Sequence, residues 1–88
     1  MMYYLYILKS IKDSNLYVGC TSNLKARLNR HKTGQVEATR SRRPFKLVYW
    51  KGYKDKSTAF QTERYFKSLY GYRVKRKIIK EFNKEISI

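Results

Sequence analysis

The chain has 88 residues, and its 21 Lys and Arg against 6 Asp and Glu give a formal net charge of +15 at neutral pH. This length predicts one small domain over residues 1–88. No apolar run approaches the roughly 20 residues of a membrane-spanning helix, and the N-terminus lacks the layout of a signal peptide. Because so high a charge opposes compaction, it indicates a polyanionic partner, and nucleic acid is favoured over an anionic membrane or a heparin-like polymer.

The first predicted elements form a β-hairpin followed by a helix. Residues 3–9 are rich in Tyr, Leu and Ile and predict a strand, and residues 16–20 predict the returning strand after a polar turn. Thr21-Ser22-Asn23 offers N-cap side chains for a helix that runs to about Lys32. Gly34 is typical of the residue just beyond a helix end.

The next part of the chain predicts a loop, a strand and a second helix. Residues 35–43 are polar and basic and predict a loop that ends at Pro44. Residues 45–50 have high β propensity and predict a third strand. The polar side chains of residues 55–58 offer caps for a helix that runs to about Leu69.

The last predicted element is a helix that follows an interruption at Gly71. Its signal is a set of apolar residues spaced four apart: Val74, Ile78, Phe82 and Ile86. The predicted order is therefore ββαβαα. This order predicts an α+β domain in which helices pack on a small, three-stranded, mainly antiparallel sheet.

The chain contains one cysteine, Cys20, and one histidine, His31. These counts exclude an internal disulfide and a structural zinc site built from Cys and His of this chain alone. Cys20 is interpreted as a small strand-end residue rather than a nucleophile. Nothing in the sequence suggests secretion, so a reducing cytoplasm is the expected location.

Glu63 is the acidic residue that stands out, because it interrupts an apolar helical stripe. That stripe consists of Ala59, Phe60, Phe66 and Tyr70. A carboxylate on a face that should be buried needs a cation or a metal ion to compensate it. The plainer interpretation is a surface salt bridge with neighbouring Arg64 or Lys67.

Arg27 and His31 are four residues apart and should project from the same face of the first helix. A guanidinium there can hold a phosphate with two hydrogen bonds and stabilise its developing negative charge. His31 can relay a proton near neutral pH. A solvated arginine and a histidine that caps or packs the helix are the alternatives.

Nine tyrosines are present, and Tyr6 and Tyr17 flank the predicted hairpin. A phenol becomes a base near neutral pH only where cations lower its pKa, and Arg27, His31 or a bound metal are the candidates to do so. Packing is the alternative role for both rings. A shared site requires even-numbered residues of the first strand to pair with odd-numbered residues of the second.

Two basic segments, residues 39–43 and 73–80, concentrate charge without catalytic geometry. They predict phosphate contacts that give affinity and salt dependence rather than sequence readout. The expected nucleic-acid-binding residues are Arg40, Arg42, Arg43, Lys67, Arg73, Lys75 and Arg76.

The order and spacing of these motifs together resemble the GIY-YIG nuclease superfamily, and its small stand-alone members in particular. Tyr4-Leu5-Tyr6 stands where the GIY triplet belongs, and Tyr17-Val18-Gly19 where YIG belongs. Residues 22–28 resemble the family segment that carries an arginine. Residues 38–49 resemble the following block, and residues 59–71 the block that carries a metal-binding glutamate.

The resemblance implies that Tyr6, Tyr17, Arg27, His31 and Glu63 occupy active-site positions. It implies that Glu63 holds one Mg²⁺ or Mn²⁺, that Arg27 stabilises the transition state and that one of the two tyrosines helps to activate water. The sequence departs from the family pattern in three ways. Tyr4 replaces the first glycine, Cys20 replaces a lysine found in some members, and a late active-site asparagine has no clear equivalent.

The function that the resemblance implies is a single-metal endonuclease that hydrolyses phosphodiester bonds in DNA. The alternative is a non-catalytic, basic module on the same fold that binds DNA or RNA. Larger relatives attach DNA-binding domains to this module. In this sequence, either its own charge or a specificity-giving protein partner has to supply that function.

Overall fold

The computed structural model describes residues 1–82 and 84–88, and for residues 69–72 it describes the backbone alone. Its elements, in chain order, are β1 (Tyr3–Ser10), β2 (Leu16–Thr21), α1 (Leu24–Lys32), α2 (Glu37–Arg40), β3 (Phe45–Tyr53), α3 (Lys56–Lys67), α4 (Leu69–Phe82) and β4 (Ile86–Ser87). The α+β class is confirmed, but the predicted order is wrong because α2 and β4 were not expected. Within the described residues, no helix is both long enough and apolar enough to cross a bilayer.

The sheet has four antiparallel strands in the order β2-β1-β3-β4, rather than the three predicted. β4 is short and pairs Ile86 with Leu47 at the outer edge of β3. The prediction placed Ile86 in the last helix, but that helix ends at Phe82. Pairing gives partners to backbone groups that the edge of β3 would otherwise expose, and spacing along the sequence does not report such a long-range contact.

The predicted caps of α1 and α3 are present. The Asn23 side chain accepts a hydrogen bond from the Ala26 N–H at 3.1 Å, and Gly34 adopts a φ of +80° just beyond α1. Asp55 caps α3 through the Thr58 N–H at 2.9 Å. These local side-chain bonds satisfy N–H groups that the first turn of a helix leaves free.

The interruption between the last two helices lies at Ser68 rather than at the predicted Gly71. Ser68 is extended, with φ −80° and ψ 166°, and α4 begins at the next residue and continues past Gly71. A single glycine costs a helix only about 1 kcal/mol relative to alanine, so it does not by itself end one.

Helices cover both faces of the sheet. On one face, α3 and α4 pack through Phe66 and Ile78 against a core of Leu5, Ile7, Val18 and Val48. On the other face, α1 packs through Leu24 and Leu28 against Tyr6, Leu8, Phe45 and Leu47. The alternation of β1 residues between the two cores follows from the alternation of side chains along a strand.

A bulge in β3 adjusts this alternation. Ile7 pairs with Tyr49 and Leu8 with Leu47, so Val48 is an extra residue opposite β1. Val48 and Tyr49 therefore both belong to the core under α3 and α4, while Leu47 belongs to the core under α1.

Candidate functional site

The hairpin register brings Tyr6 and Tyr17 to the same face of the sheet. Tyr6 pairs with Gly19, and Leu8 pairs with Tyr17, which is the even–odd pairing that a shared site requires. The two ring centroids lie 6.4 Å apart. A Cβ at Gly19 would overlap the phenol of Tyr6, so the glycine provides the space that this ring occupies.

A buried chain of hydrogen bonds runs from Tyr6 through His31 to Thr39. The Tyr6 hydroxyl lies 2.8 Å from His31 Nε2, and His31 Nδ1 lies 2.8 Å from Thr39 Oγ1. Thr39 Oγ1 in turn donates to the Val36 carbonyl at 3.4 Å. We assign the proton of the imidazole to Nδ1, because the hydroxyl of Thr39 is already donating elsewhere. His31 Nε2 then accepts the hydrogen bond that the Tyr6 hydroxyl donates.

Burial sets the protonation states of Tyr6 and His31. Burial, aided by the charges of Arg27 and Arg30, lowers the pKa of His31 to about 4. Burial and the neighbouring Tyr17 raise the pKa of Tyr6, although Arg27 acts in the opposite direction. The expectation that His31 supplies a positive charge near a tyrosine is therefore wrong. Near neutral pH His31 is uncharged, and Tyr6 is a protonated donor.

Tyr17 completes the aromatic cluster and, unlike Tyr6, is partly exposed. Its ring centroid lies 5.2 Å from that of His31, in an edge-to-face arrangement. Such contacts fix the plane of a ring without consuming its hydroxyl group. Of the two predicted tyrosines, Tyr17 is the one that solvent can reach.

Arg27 and Glu63 approach this cluster from different helices. Arg27, on α1, lies close enough to lower the pKa of both Tyr6 and His31. Glu63, on α3, lies close enough to raise the pKa of Tyr6 and of Cys20, although burial is the larger cause in both. The five residues predicted for the active site are therefore brought into one electrostatic neighbourhood.

Glu63 also forms the salt bridge that was the plainer interpretation of its position. Its carboxylate lies 2.9 Å from Lys67 Nζ, and its side chain is only 15% exposed. The salt-bridge interpretation is therefore confirmed, and the role of Glu63 as a metal ligand stays a prediction.

A metal ion in this neighbourhood would have few ligands from the protein. In the described part of the chain, no three His, Cys, Asp or Glu side chains gather in a way that could hold a metal ion. Mg²⁺ commonly takes one or two carboxylates and completes its shell with water and substrate phosphate. Glu63 is a suitable oxygen ligand of that kind. Both ring nitrogens of His31 already have partners, so His31 is not a ligand.

The residues predicted to contact phosphate separate into different environments. Arg42 is paired with Asp13 at 2.9 Å, and Lys67 is paired with Glu63. Arg40, Arg43, Arg73 and Arg76 are exposed.

Lys75 is a correction to the predicted set. It is buried, with 8% of its surface exposed, and its Nζ donates to the Phe66 carbonyl at 3.2 Å. Burial also lowers its pKa. The prediction treated the whole run of cations as exposed to solvent, but Lys75 lies on a turn of α4 that faces the end of α3.

Thr39 is the residue of this site that sequence reasoning missed. The sequence placed it in a basic loop, whereas the structure buries it completely and bonds it to His31. Eight residues separate Thr39 from His31, and the short helix α2 brings them together. A lone threonine in a charged loop gives no periodic signal that would reveal this contact.

Comparison with known proteins shows that most of the chain is similar to one family. Residues 2–84 match the family model of the GIY-YIG catalytic domain. A UPF0213 protein of Oceanobacillus iheyensis is 44% identical over 68 residues, which cover 76% of this chain and 78% of that protein. A UPF0213 protein of Staphylococcus haemolyticus is 39% identical over 80 residues, covering 90% and 95% of the two chains.

A solved structure is similar as well. The solution NMR structure of a UPF0213 protein from Bacillus halodurans matches with a TM-score of 0.59 and 30% sequence identity. The match covers 94% of this chain and 88% of that one. The similarity therefore extends over most of both chains.

Proposed function

The chain belongs to the GIY-YIG catalytic domain family, and from that premise we propose that residues 1–88 form a single domain that acts as a divalent-metal-dependent endonuclease on DNA. One observation carries the proposal. The Tyr6 phenol, which is bonded to His31 and lies beside the Tyr17 ring, is within electrostatic range of both the Arg27 guanidinium and the Glu63 carboxylate.

Arg27 supplies positive charge to the phosphate that is cut. Arg27 is a partly buried residue, and charge–charge interactions are stronger at partly buried positions than in bulk water. A guanidinium can hold two phosphate oxygens at once, and it stabilises the negative charge that grows as water attacks phosphorus. Because Arg27 stands on α1 beside His31, the same helix fixes both groups.

The two tyrosines have different roles in this proposal. Tyr17 is partly exposed, and its hydroxyl is available to orient and help activate the attacking water. Tyr6 is buried and donates to His31, so its ring is a fixed surface against which the Tyr17 ring packs. His31 and Tyr6 are in this sense positioning residues for the Tyr17 ring.

Glu63 is the proposed ligand of the metal ion. Mg²⁺ or Mn²⁺ would supply positive charge that stabilises the phosphate oxygens during hydrolysis. Lys67 neutralises the Glu63 carboxylate in the structure described. The ammonium group of Lys67 therefore has to move aside, or turn toward the phosphate, when Glu63 takes part in catalysis.

DNA is the proposed substrate, and contacts with its backbone supply most of the affinity. The +15 charge suits a polyanion. Contacts of this kind do not read sequence, so we propose that a protein partner or the shape of the DNA supplies specificity. A cytoplasmic location is part of the same proposal.

A non-catalytic nucleic-acid-binding module is the second candidate. The Glu63–Lys67 pair favours it, because a neutralised carboxylate is a weaker metal ligand. Cys20, in place of a family lysine, favours it as well. On this alternative the fold and the basic surface are kept, and DNA or RNA is bound without being cut.

Incubation with plasmid, branched and flapped DNA in Mg²⁺, Mn²⁺ or EDTA separates the two candidates. The nuclease proposal expects cleavage of at least one DNA with a metal and none in EDTA. Tight, salt-sensitive binding without cleavage on every substrate and with either metal would establish the binding module instead.

A further inference from the structure

A cavity of about 390 Å³ lies at the C-terminal end of α1, and its cationic lining consists of Lys32, Arg40 and Arg43. This volume falls within the range of roughly 300–1,000 Å³ that is common for ligand sites. His31 forms part of the wall, so the cavity adjoins the buried Tyr6–His31–Thr39 chain. The remaining lining residues are Pro44, Phe45 and Ile88.

Main-chain carbonyls hold both guanidiniums at this cavity. Arg40 Nε donates to the Gly34 carbonyl at 2.9 Å, and Arg43 Nε donates to the Arg40 carbonyl at 3.0 Å. Arg43 Nη1 also donates to the Lys32 carbonyl at 3.3 Å. Gly34 makes room for this arrangement, because a Cβ there would lie 2.9 Å from Arg43 Cζ. The two side chains are therefore pre-positioned rather than freely solvated.

Most of the donor capacity of these groups is unused by the bonds just described. An arginine has five N–H donors, and these contacts occupy one on Arg40 and two on Arg43. No carboxylate in the described residues lies within salt-bridge distance of Lys32, Arg40 or Arg43, whereas Arg42 is paired with Asp13. Three cations without a carboxylate repel one another, and a bound anion would relieve that repulsion.

We propose that this cavity binds a backbone phosphate of the nucleic-acid strand, an inference that rests on the proposed function. Arg27 and Lys32 are five residues apart on α1, so they leave the helix about 140° from each other. The phosphate in the cavity is therefore a second one, distinct from the phosphate at Arg27. The substrate is therefore held on two sides of α1.

The alternative is that both arginines merely cap α1. Carbonyls at the end of a helix carry partial negative charge and disfavour an anion. Arg40 and Arg43 bond two of the carbonyls in this segment, those of Gly34 and Lys32, and thereby offset that effect. Capping explains these bonds, but it does not explain the cavity in front of them or the third cation, Lys32.

The test is a titration of the ¹⁵N-labelled full chain in EDTA, followed through the Nε–Hε signals of Arg40 and Arg43. The probes are inorganic phosphate and a single-stranded oligonucleotide of about 12 nucleotides. We expect saturable shifts of both signals with the oligonucleotide. Lys32→Gln should weaken binding roughly 3- to 10-fold and lower the salt slope by about 1. Lys54→Gln removes the charge of another exposed lysine, outside the cavity, and is the control, with a smaller effect expected on both quantities.

Two results would overturn the inference. In the first, the Arg40 and Arg43 signals stay fixed with both probes while the oligonucleotide saturates the protein. In the second, inorganic phosphate shifts these signals and the oligonucleotide does not, which would make the cavity a site for a free anion. Because EDTA prevents cleavage, neither result depends on catalysis. A protein that shows the expected shifts but cuts no DNA keeps this inference and loses the nuclease proposal.

Discussion

The Tyr6 hydroxyl and His31 Nε2 lie 2.8 Å apart, and both side chains are almost completely shielded from solvent. This bond joins β1, a central strand of the sheet, to α1 and fixes the imidazole against the Tyr17 ring. The other ring nitrogen of His31, Nδ1, is hydrogen-bonded to Thr39, so the orientation of His31 also depends on a residue eight positions away in the chain. The proposed site is thus positioned from behind by a buried polar network.

Thr39→Val tests the closure of this network. The change removes the acceptor of the His31 Nδ1–H and leaves a buried donor unsatisfied, which should cost about 1–3 kcal/mol in the free energy of unfolding. ¹⁵N NMR of the imidazole should also report a change in its tautomer. Thr62→Val is the control, because the Thr62 hydroxyl only donates to the Thr58 carbonyl on α3. Equal losses in the two variants would contradict a special role for Thr39.

His31 should make stability depend on pH in the acid range. Its pKa is about 4 in the folded chain, against an ordinary value of 6.5, so the unfolded chain binds more protons between these values. The stabilisation that comes from keeping His31 uncharged is therefore fully present above about pH 6.5. As the pH falls toward 4, the free energy of unfolding decreases by about 3 kcal/mol.

Urea unfolding between pH 4 and 8 measures this dependence. His31→Gln should be less stable near neutral pH but should show a flatter profile between pH 6.5 and 4. A profile in the variant as steep as that of the original chain would assign the acid sensitivity to other groups.

Gly19→Ala should disturb the site through Tyr6. A Cβ at position 19 would overlap the phenol of Tyr6, whose ring is locked in the core. We expect a loss of about 1–3 kcal/mol in the free energy of unfolding. Gly52→Ala is the control, because its added Cβ would lie 2.7 Å from the flexible end of Met2. Calorimetry should therefore show a smaller loss at position 52 than at position 19.

Phenylalanine variants should separate the two tyrosines. Tyr6→Phe removes the donor to His31 Nε2 and should lower stability, whereas Tyr17→Phe keeps the packing of a partly exposed ring. Tyr17→Phe should instead reduce DNA cleavage by at least about 100-fold, a typical contribution of acid–base groups. The measurements are thermal unfolding and initial cleavage rates. Full activity in Tyr17→Phe would remove that tyrosine from the mechanism.

The elements with local signals could be predicted from the sequence. Asn23 and Asp55 cap their helices through neighbouring N–H groups, and such bonds depend only on nearby residues. The shared face of Tyr6 and Tyr17 was stated in advance only as a requirement, and the observed hairpin register fulfils it.

What depended on distant partners could not be predicted. β4 exists because Ile86 meets Leu47 across 39 positions. Lys75 is buried because α4 turns back onto the end of α3 at Phe66. Thr39 reaches His31 only through the fold of the loop, so its role left no pattern in the sequence.

Two isosteric glutamate variants test whether this chain cuts DNA with a metal ion held at Glu63. Supercoiled plasmid is incubated with Mg²⁺ or Mn²⁺ and with the original chain, Glu63→Gln or Glu81→Gln, the last being an exposed glutamate of α4. We expect cleavage by the original chain and by Glu81→Gln, and a loss of at least about 100-fold in Glu63→Gln. Cleavage that persists in Glu63→Gln, or that continues in EDTA, would contradict this expectation.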